Sequence, residues 1–296
     1  MNTEFAGIFP YLVTPVDATG LLQEQVLRNL VNHLIDKGVH GLTPLGSTGE
    51  GPYLDWTTKK RVIEVVVDET AGRVPVIAGV NNLTTQGTVR EAVQTENLGV
   101  DGLLAVLPSY FPITEQQTIR HFRAVARAVT CPLTLYTNPK FAAWDFSVEA
   151  LQELCEEENI AYLKDASGNI GKLMSISAAL GDRLKIFSAT AHVPVFVFML
   201  GGVGWMAGPA CLIPEQSIVL YDLAQQKKWD EALALQKTLW PLNLAFQKYS
   251  LAACVKAGLE MQGFPVGAPL APQKSLNPDE KNAVRHVMET LGALSR

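Results

Sequence analysis

The chain has 296 residues, 48% of them hydrophobic and 18% charged, with a net charge of −5. A chain of this composition buries a sizeable core, so intrinsic disorder is excluded. With an acidic balance and no Lys/Arg-rich run, nucleic acid is excluded as an expected partner.

In chain order, apolar runs of strand length alternate with amphipathic stretches of helix length. Strand candidates Ile8–Thr14, Val39–Leu45, Val76–Val80 and Gly102–Leu107 are followed by helix candidates Gln23–Lys37, Trp56–Thr70, Gln86–Leu98 and Glu115–Val129. Strand candidates Leu133–Tyr136, Ile160–Lys164, Leu184–Phe187 and Val203–Ala207 are followed by Val148–Glu157, Lys172–Leu180, Val193–Leu200 and Glu215–Gln226. Gly38, Gly72, Gly99, Gly181 and Gly201 close helices where a positive φ is wanted. Strands with little polar alternation are buried on both faces, and strand–helix alternation implies a parallel sheet. An open doubly wound sheet carries the same local signals, but eight units before residue 227 fit a closed (β/α)8 TIM barrel better. The G-x-G-x-x-G fingerprint is absent: in Gly202-Val203-Gly204 the third glycine, Gly208, comes one residue late. After Lys228 the strands stop, and Trp229–Gln247, Leu251–Met261 and Pro278–Leu294 read as helices. The expected division is a catalytic barrel over 1–227 and a helical domain over 228–296.

Ile186 to Pro214 carries no charged residue and is long enough to span a bilayer. Its prolines and glycines argue instead for a buried helix, a turn and a buried strand, so no membrane association is expected. Met1-Asn2-Thr3-Glu4 lacks the pattern of a signal peptide. Cys131, Cys155, Cys211 and Cys254 stand alone without zinc spacing. A reduced cytoplasmic setting is the default, and no metal is expected.

In a barrel, catalytic groups sit at the C-terminal ends of strands and in the loops that follow. Gly46-Ser47-Thr48-Gly49-Glu50 follows the second strand, where small residues, hydroxyls and amides make a nest for a carboxylate. The same segment also reads as a helix-entry turn with a hydroxyl cap. Lys164 ends a buried apolar strand, where desolvation favours a neutral, nucleophilic amine able to condense with a ketone. It also reads as a rim lysine reaching solvent or paired with Asp165. Tyr136 ends the preceding strand and offers a phenol for proton transfer, or merely an aromatic rim. Tyr110, after the fourth strand, poses the same choice.

With these residues the chain resembles the dihydrodipicolinate synthase / N-acetylneuraminate lyase family of class I aldolases over essentially its whole length. Gly46-Ser47-Thr48-Gly49-Glu50 is similar to the family's pyruvate-carboxylate loop, and Tyr136-Thr137-Asn138-Pro139 stands at its Tyr-Asn-x-Pro motif. Leu163-Lys164-Asp165-Ala166-Ser167-Gly168-Asn169 matches the Schiff-base segment, and Leu200-Gly201-Gly202-Val203-Gly204 the glycine-rich last strand. The resemblance implies that Lys164 forms an imine with pyruvate or another 2-keto acid. It implies that Ser47, Thr48 and Gly49 cradle the carboxylate, that Tyr136 carries protons with Thr48 and Tyr110 in relay, and that a carbonyl near Met206 lines the pocket. It also implies homodimers or homotetramers in which Tyr110 reaches the neighbouring subunit's site. A protonated imine is itself an electron sink, so no cofactor is expected.

Departures bear on the substrate. Where dihydrodipicolinate synthases carry an arginine for a second carboxylate, this chain has Phe141, with Lys140 beside it. Phenylalanine cannot clamp a carboxylate, whereas Lys140 offers a point charge. Gly79-Val80-Asn81-Asn82 departs from the usual glycine-containing loop. Phe141 and Trp144 read equally as a wall for a less charged aldehyde and as packing. The expectation is therefore a pyruvate–aldehyde lyase. A 2-keto acid dehydratase or deaminase, dihydrodipicolinate synthase proper, and a silent keto-acid binder are the alternatives.

Overall fold

Apolar runs without polar alternation pair in parallel when helices cover both faces of the sheet. In the computed structural model, which describes residues 4–139, 142, 144–189 and 193–294, they do so as seven strands. These are β1 (Gly7–Pro10), β2 (Ile77–Val80), β3 (Gly102–Val106), β4 (Leu133–Thr137), β5 (Ile160–Asp165), β6 (Lys185–Ser188) and β7 (Gly204–Ala207). The order is β1-β7-β6-β5-β4-β3-β2, with every pairing parallel. This curled sheet with its helices is an α/β fold of TIM-barrel type.

The second expected strand, Val39–Leu45, is not a regular strand, yet its backbone bonds on both sides. His40 N and Thr43 N donate to Ile8 O and Pro10 O at 3.0 Å, toward β1. On the other side Leu42 N donates to Pro75 O, and Ile77 N donates back to Leu42 O, both at 2.9 Å. Only single bridges result, Tyr11 to Thr43 and Leu42 to Val76. Proline explains the interruption: Pro10, Pro44 and Pro75 bring no N–H to the ladder, and Leu45 then turns left-handed at φ 59°.

The helices α1 (Glu24–Asp36), α2 (Trp56–Thr70), α3 (Thr85–Glu96), α4 (Glu115–Ala126), α5 (Val148–Leu154), α6 (Ile170–Leu180), α7 (Pro194–Met199) and α8 (Pro214–Gln225) fall where the periodicity put them. Their ends obey local chemistry. Asp55 caps α2 by accepting from Thr58 N, and Thr114 and Gln117 form a capping box on α4. α5 stops three residues before the expected Glu157, because the chain tightens there into i→i+3 bonds such as Glu157 N to Leu154 O. All five glycines expected to follow helices have positive φ. The uncharged stretch becomes β6, α7, β7 and a 3-10 turn at Gly208–Cys211. Among the described residues no helix is long and apolar enough to cross a membrane. Three further helices complete the chain: α9 (Trp229–Lys248), α10 (Leu251–Met261) and α11 (Pro278–Thr290).

Aromatic side chains fill the interior of the curled sheet. Phe5 packs on Tyr162 at 5.2 Å between ring centroids, and Phe9 meets Phe187 edge-on at 5.5 Å. Glycine makes room for them: a Cβ on Gly41 would lie 2.0 Å from the Phe9 ring. This aromatic layer closes the interior below the strand ends, so the chemistry sits above a packed floor.

Candidate active site

Lys164 lies near the C-terminal end of β5, in register with Tyr136 of β4. It is only 3% exposed, which rules out a rim lysine reaching solvent. Nor does it pair with its neighbour Asp165, whose carboxylate binds Lys172 Nζ at 2.5 Å, while Lys172 also holds Asp145 at 2.5 Å. Lys164 Nζ instead lies between two aromatic rings, 3.9 Å from the centroid of Tyr136 and 4.3 Å from that of Tyr11. Burial lowers its pKa below the ordinary lysine value, against the charge and hydrogen bonding of the Tyr136 phenol and the charge of Asp165. The result favours the neutral amine that attacks a carbonyl carbon.

The two phenols differ. Tyr136 Oη lies 3.2 Å from Ser47 Oγ and accepts from Asn138 Nδ2 at 3.1 Å. Burial alone would raise its pKa, but the Lys164 charge and the hydrogen bonds from Ser47 and Asn138 together bring it below the usual value. Tyr11 is also buried, and its hydroxyl has no hydrogen-bond partner among the described residues. Burial, with the Tyr136 charge adding to it, holds the Tyr11 phenol well above its ordinary pKa.

The segment Gly46–Glu50 folds into a turn through Gly49 N to Gly46 O at 3.0 Å and Glu50 N to Ser47 O at 3.2 Å. Neither hydroxyl caps a helix: Glu50, at φ 55°, precedes the 3-10 turn Gly51–Tyr53 without a side-chain cap bond. Thr48 Oγ1 is buried without a partner among the described residues. Such a hydroxyl is left to bond a group outside the described residues, as are those of Thr43 and Thr134, and Thr48 itself does not line the cavity over Lys164. Glu50 turns the other way and anchors the loop to the C-terminal helices. Its carboxylate binds Lys256 Nζ at 2.7 Å and accepts from Leu270 N at 2.7 Å and Gln273 Nε2 at 2.8 Å.

A cavity of about 330 Å³ opens over Lys164. Tyr11, Ser47, Tyr136, Asn138 and Lys164 line its chemical end, and Phe246, Gln247, Tyr249, Ser250, Leu251 and Gln273 its outer wall. Thus the structure brings together Lys164, Tyr136 and Ser47, with Thr48 in the same turn. Gly49 is buried behind them, its carbonyl accepting from Thr14 Oγ1 at 2.7 Å. Met206 lies in β7 within the aromatic interior and is not among the residues lining the cavity. Tyr110 is 84% exposed, stacked edge-on against Phe111, and does not line the cavity of its own chain. Lys140 and Phe141 lie outside the described residues. Trp144 is resolved as packing: it donates Nε1 to Leu107 O at 2.9 Å and meets Phe122 and Phe146.

Sequence reasoning gave no role to Tyr11, Asn138 or the wall contributed by the α9–α10 corner. Tyr11 fell inside the expected strand Ile8–Thr14, so the strand-end rule passed over it; the observed β1 stops at Pro10 and leaves Tyr11 just beyond the strand end. The α9–α10 corner carried no local signal, because its approach to the mouth depends on long-range packing.

The dihydrodipicolinate synthetase family model matches residues 4–291. The chain is 32% identical to a 4-hydroxy-tetrahydrodipicolinate synthase of Methanopyrus kandleri, over 99% of each chain. It is 32% identical to an uncharacterized DapA-like lyase of Halobacterium salinarum, over 97% of this chain and 94% of that one. The crystal structure of dihydrodipicolinate synthase from Agrobacterium tumefaciens superposes with a TM-score of 0.90 at 30% identity, covering 98% of each chain. The chain therefore belongs to the dihydrodipicolinate synthetase family and is an enzyme of the carbon–carbon lyase kind.

Proposed function

We infer that the protein is a Schiff-base-forming lyase that makes or breaks a carbon–carbon bond between pyruvate, or another 2-keto acid, and an aldehyde. One observation carries this reading. Lys164 is buried, has no carboxylate within ion-pair distance among the described residues, and opens on a cavity beside phenol and hydroxyl groups. In the reaction the neutral amine attacks the C2 carbonyl and water leaves to give the protonated imine. Loss of a C3 proton gives an enamine, whose carbon attacks the aldehyde, and hydrolysis of the new imine restores the lysine. Ser47 and Thr48 bind the carboxylate by hydroxyl and backbone N–H, with Gly49 shaping the turn. Tyr136 moves the protons, in relay with Thr48 and with Tyr110 supplied by a second copy. The exposure of Tyr110 and Phe111 supports this dimer. Lys140 and Phe141 complete the pocket. The barrel over 1–227 is the catalytic unit and 228–296 the helical domain, in a homodimer or homotetramer of the cytoplasm.

The relatives' names favour dihydrodipicolinate synthesis as the specific reaction. Phe141 in place of the family arginine speaks for a different aldehyde. Borohydride reduction in the presence of pyruvate tests the common step: a pyruvate-sized adduct on Lys164 is expected, and no adduct on folded protein overturns the reading. Product analysis with candidate aldehydes then separates the versions. Release of water or ammonia from a 2-keto acid without free pyruvate marks a dehydratase or deaminase instead.

A further inference from the structure

Behind the carboxylate loop lies a buried polar cluster that the proposed chemistry does not use. Lys59 of α2 donates Nζ to both oxygens of Glu91 of α3, at 3.0 and 3.1 Å, and to Asn81 Oδ1 at 2.9 Å. Asn81 N donates to Glu91 Oε1 at 3.0 Å, and Asn81 Nδ2 donates to Leu45 O at 3.2 Å. Lys59, Asn81 and Glu91 are 5%, 5% and 6% exposed, so all three are shielded from water.

Leu45 is where this cluster meets the site. It stands in the left-handed region at φ 59°, an unusual place for a residue with a side chain, immediately before Gly46-Ser47-Thr48. Its carbonyl is wedged between two glycines: a Cβ on Gly79 would come within 2.2 Å of it and one on Gly51 within 2.5 Å. Asn81 is the one side-chain donor bonded to that carbonyl among the described residues. A void of about 20 Å³ runs under the loop, touching Leu45 and Asn81 as well as Ser47 and Tyr136. Asn81 and the Ser47–Tyr136 pair therefore border one small space.

We propose that Asn81, oriented by the buried Lys59–Glu91 pair, is a positioning residue: it holds the Leu45 carbonyl and thereby fixes the Ser47 and Thr48 donors that take the substrate's carboxylate. This rests on the pyruvate reading above. Asn81 does not line the cavity over Lys164, so its effect falls on carboxylate recognition and not on the amine.

The test compares imine trapping with pyruvate and with hydroxyacetone, a ketone that lacks the carboxylate. Asn81→Asp keeps an acceptor for Lys59 but presents an oxygen, not N–H, to Leu45 O. Its half-saturating pyruvate concentration is expected to rise roughly tenfold, about the worth of one buried hydrogen bond. Trapping with hydroxyacetone should change less than about twofold, within the scatter of a site that has lost no direct contact. Lys59→Met/Glu91→Leu, which removes both buried charges together, provides a second variant if Asn81→Asp folds poorly, with a shift in the same direction. Equal slowing with both ketones means a general loss of structure and overturns the proposal, as does an unchanged pyruvate dependence. If the wild-type protein is trapped by neither ketone, the pyruvate reading itself falls and takes the proposal with it.

Discussion

Among the described residues three lysines are almost completely buried, and only one of them is placed to react. Lys59 and Lys256 are 5% and 1% exposed, and each faces a glutamate, Glu91 at 3.0 Å and Glu50 at 2.7 Å. Lys164, 3% exposed, faces aromatic rings, a phenol and a cavity. Burial lowers the pKa of both Lys256 and Lys164; what opposes it is the Glu50 hydrogen bond and charge at Lys256, and the Tyr136 phenol and the Asp165 charge at Lys164. Burial alone therefore does not make a nucleophile. A carboxylate turns a buried amine into a structural ion that ties two elements together. A buried amine without such a partner, beside a phenol and open to a cavity, is available to react. The two paired lysines lie on either side of the carboxylate loop: Glu50 ends that loop, and the Lys59 cluster grips Leu45 ahead of it.

The strongest way to break this comparison is to replace each lysine by methionine. Lys164→Met should abolish adduct formation, a loss of at least about a thousandfold, since no other group supplies the amine. It should also leave stability unchanged or raise it, because a poorly solvated amine gives way to an apolar chain of similar size. Lys59→Met and Lys256→Met should each cost roughly 3–5 kcal/mol in urea unfolding at pH 7, because a buried carboxylate is left unpaired. Adding Glu91→Leu to Lys59→Met should recover most of that loss. If Lys164→Met destabilised as much as the other two, Lys164 would be a paired structural ion, and the contrast would collapse.

A subtler effect separates Lys164 from its phenol. Imine formation needs the neutral amine, so its rate climbs with pH through the lysine pKa, which lies below the ordinary value. The charge and hydrogen bonding of Tyr136 work to raise that pKa, against burial. Tyr136→Phe removes this support and lets burial act with only the Asp165 charge against it. The inflection in the rate of reduction-trapped adduct should then move to lower pH, while later proton transfers slow. An inflection that stayed put or moved up would show that the phenol does not act on the amine.

Much of this was legible in the sequence, because the signals were local. Apolar runs bounded by glycines gave the parallel strands, and a lysine closing such a run stood out because burial and charge conflict there. Trp144 was ambiguous, since an aromatic residue near the site motif is equally suited to packing, and only the positions of Leu107 and Phe122 decide it. The irregular second strand was hidden because each proline acts on a partner strand as well as on its own. Lys59, Glu91 and Asn81 stood far apart in sequence, on α2, on α3 and beyond β2, and nothing local marked Lys59 as buried. The role of Glu50 was similarly out of reach, since its partners lie more than 200 residues downstream.

Tyr11 gives the smallest expected effect and the sharpest control. It lies at about the same distance from Lys164 Nζ as Tyr136 does, ring face toward the amine, but its hydroxyl bonds to nothing among the described residues. Its raised pKa keeps it an uncharged phenol at pH values where Tyr136 begins to ionise. An uncharged phenol contributes no charge to the amine, and Tyr11→Phe keeps the ring face. The trapping inflection should therefore stay where it is in the wild type. Stability should change by less than about 1 kcal/mol, because no hydrogen bond is lost with the hydroxyl. Tyr136→Phe, by contrast, strips partners from both Ser47 and Asn138. If Tyr11→Phe moved the inflection as far as Tyr136→Phe, proximity to an aromatic ring would be what tunes Lys164. If only Tyr136→Phe moves it, the tuning belongs to the hydrogen-bonded phenol.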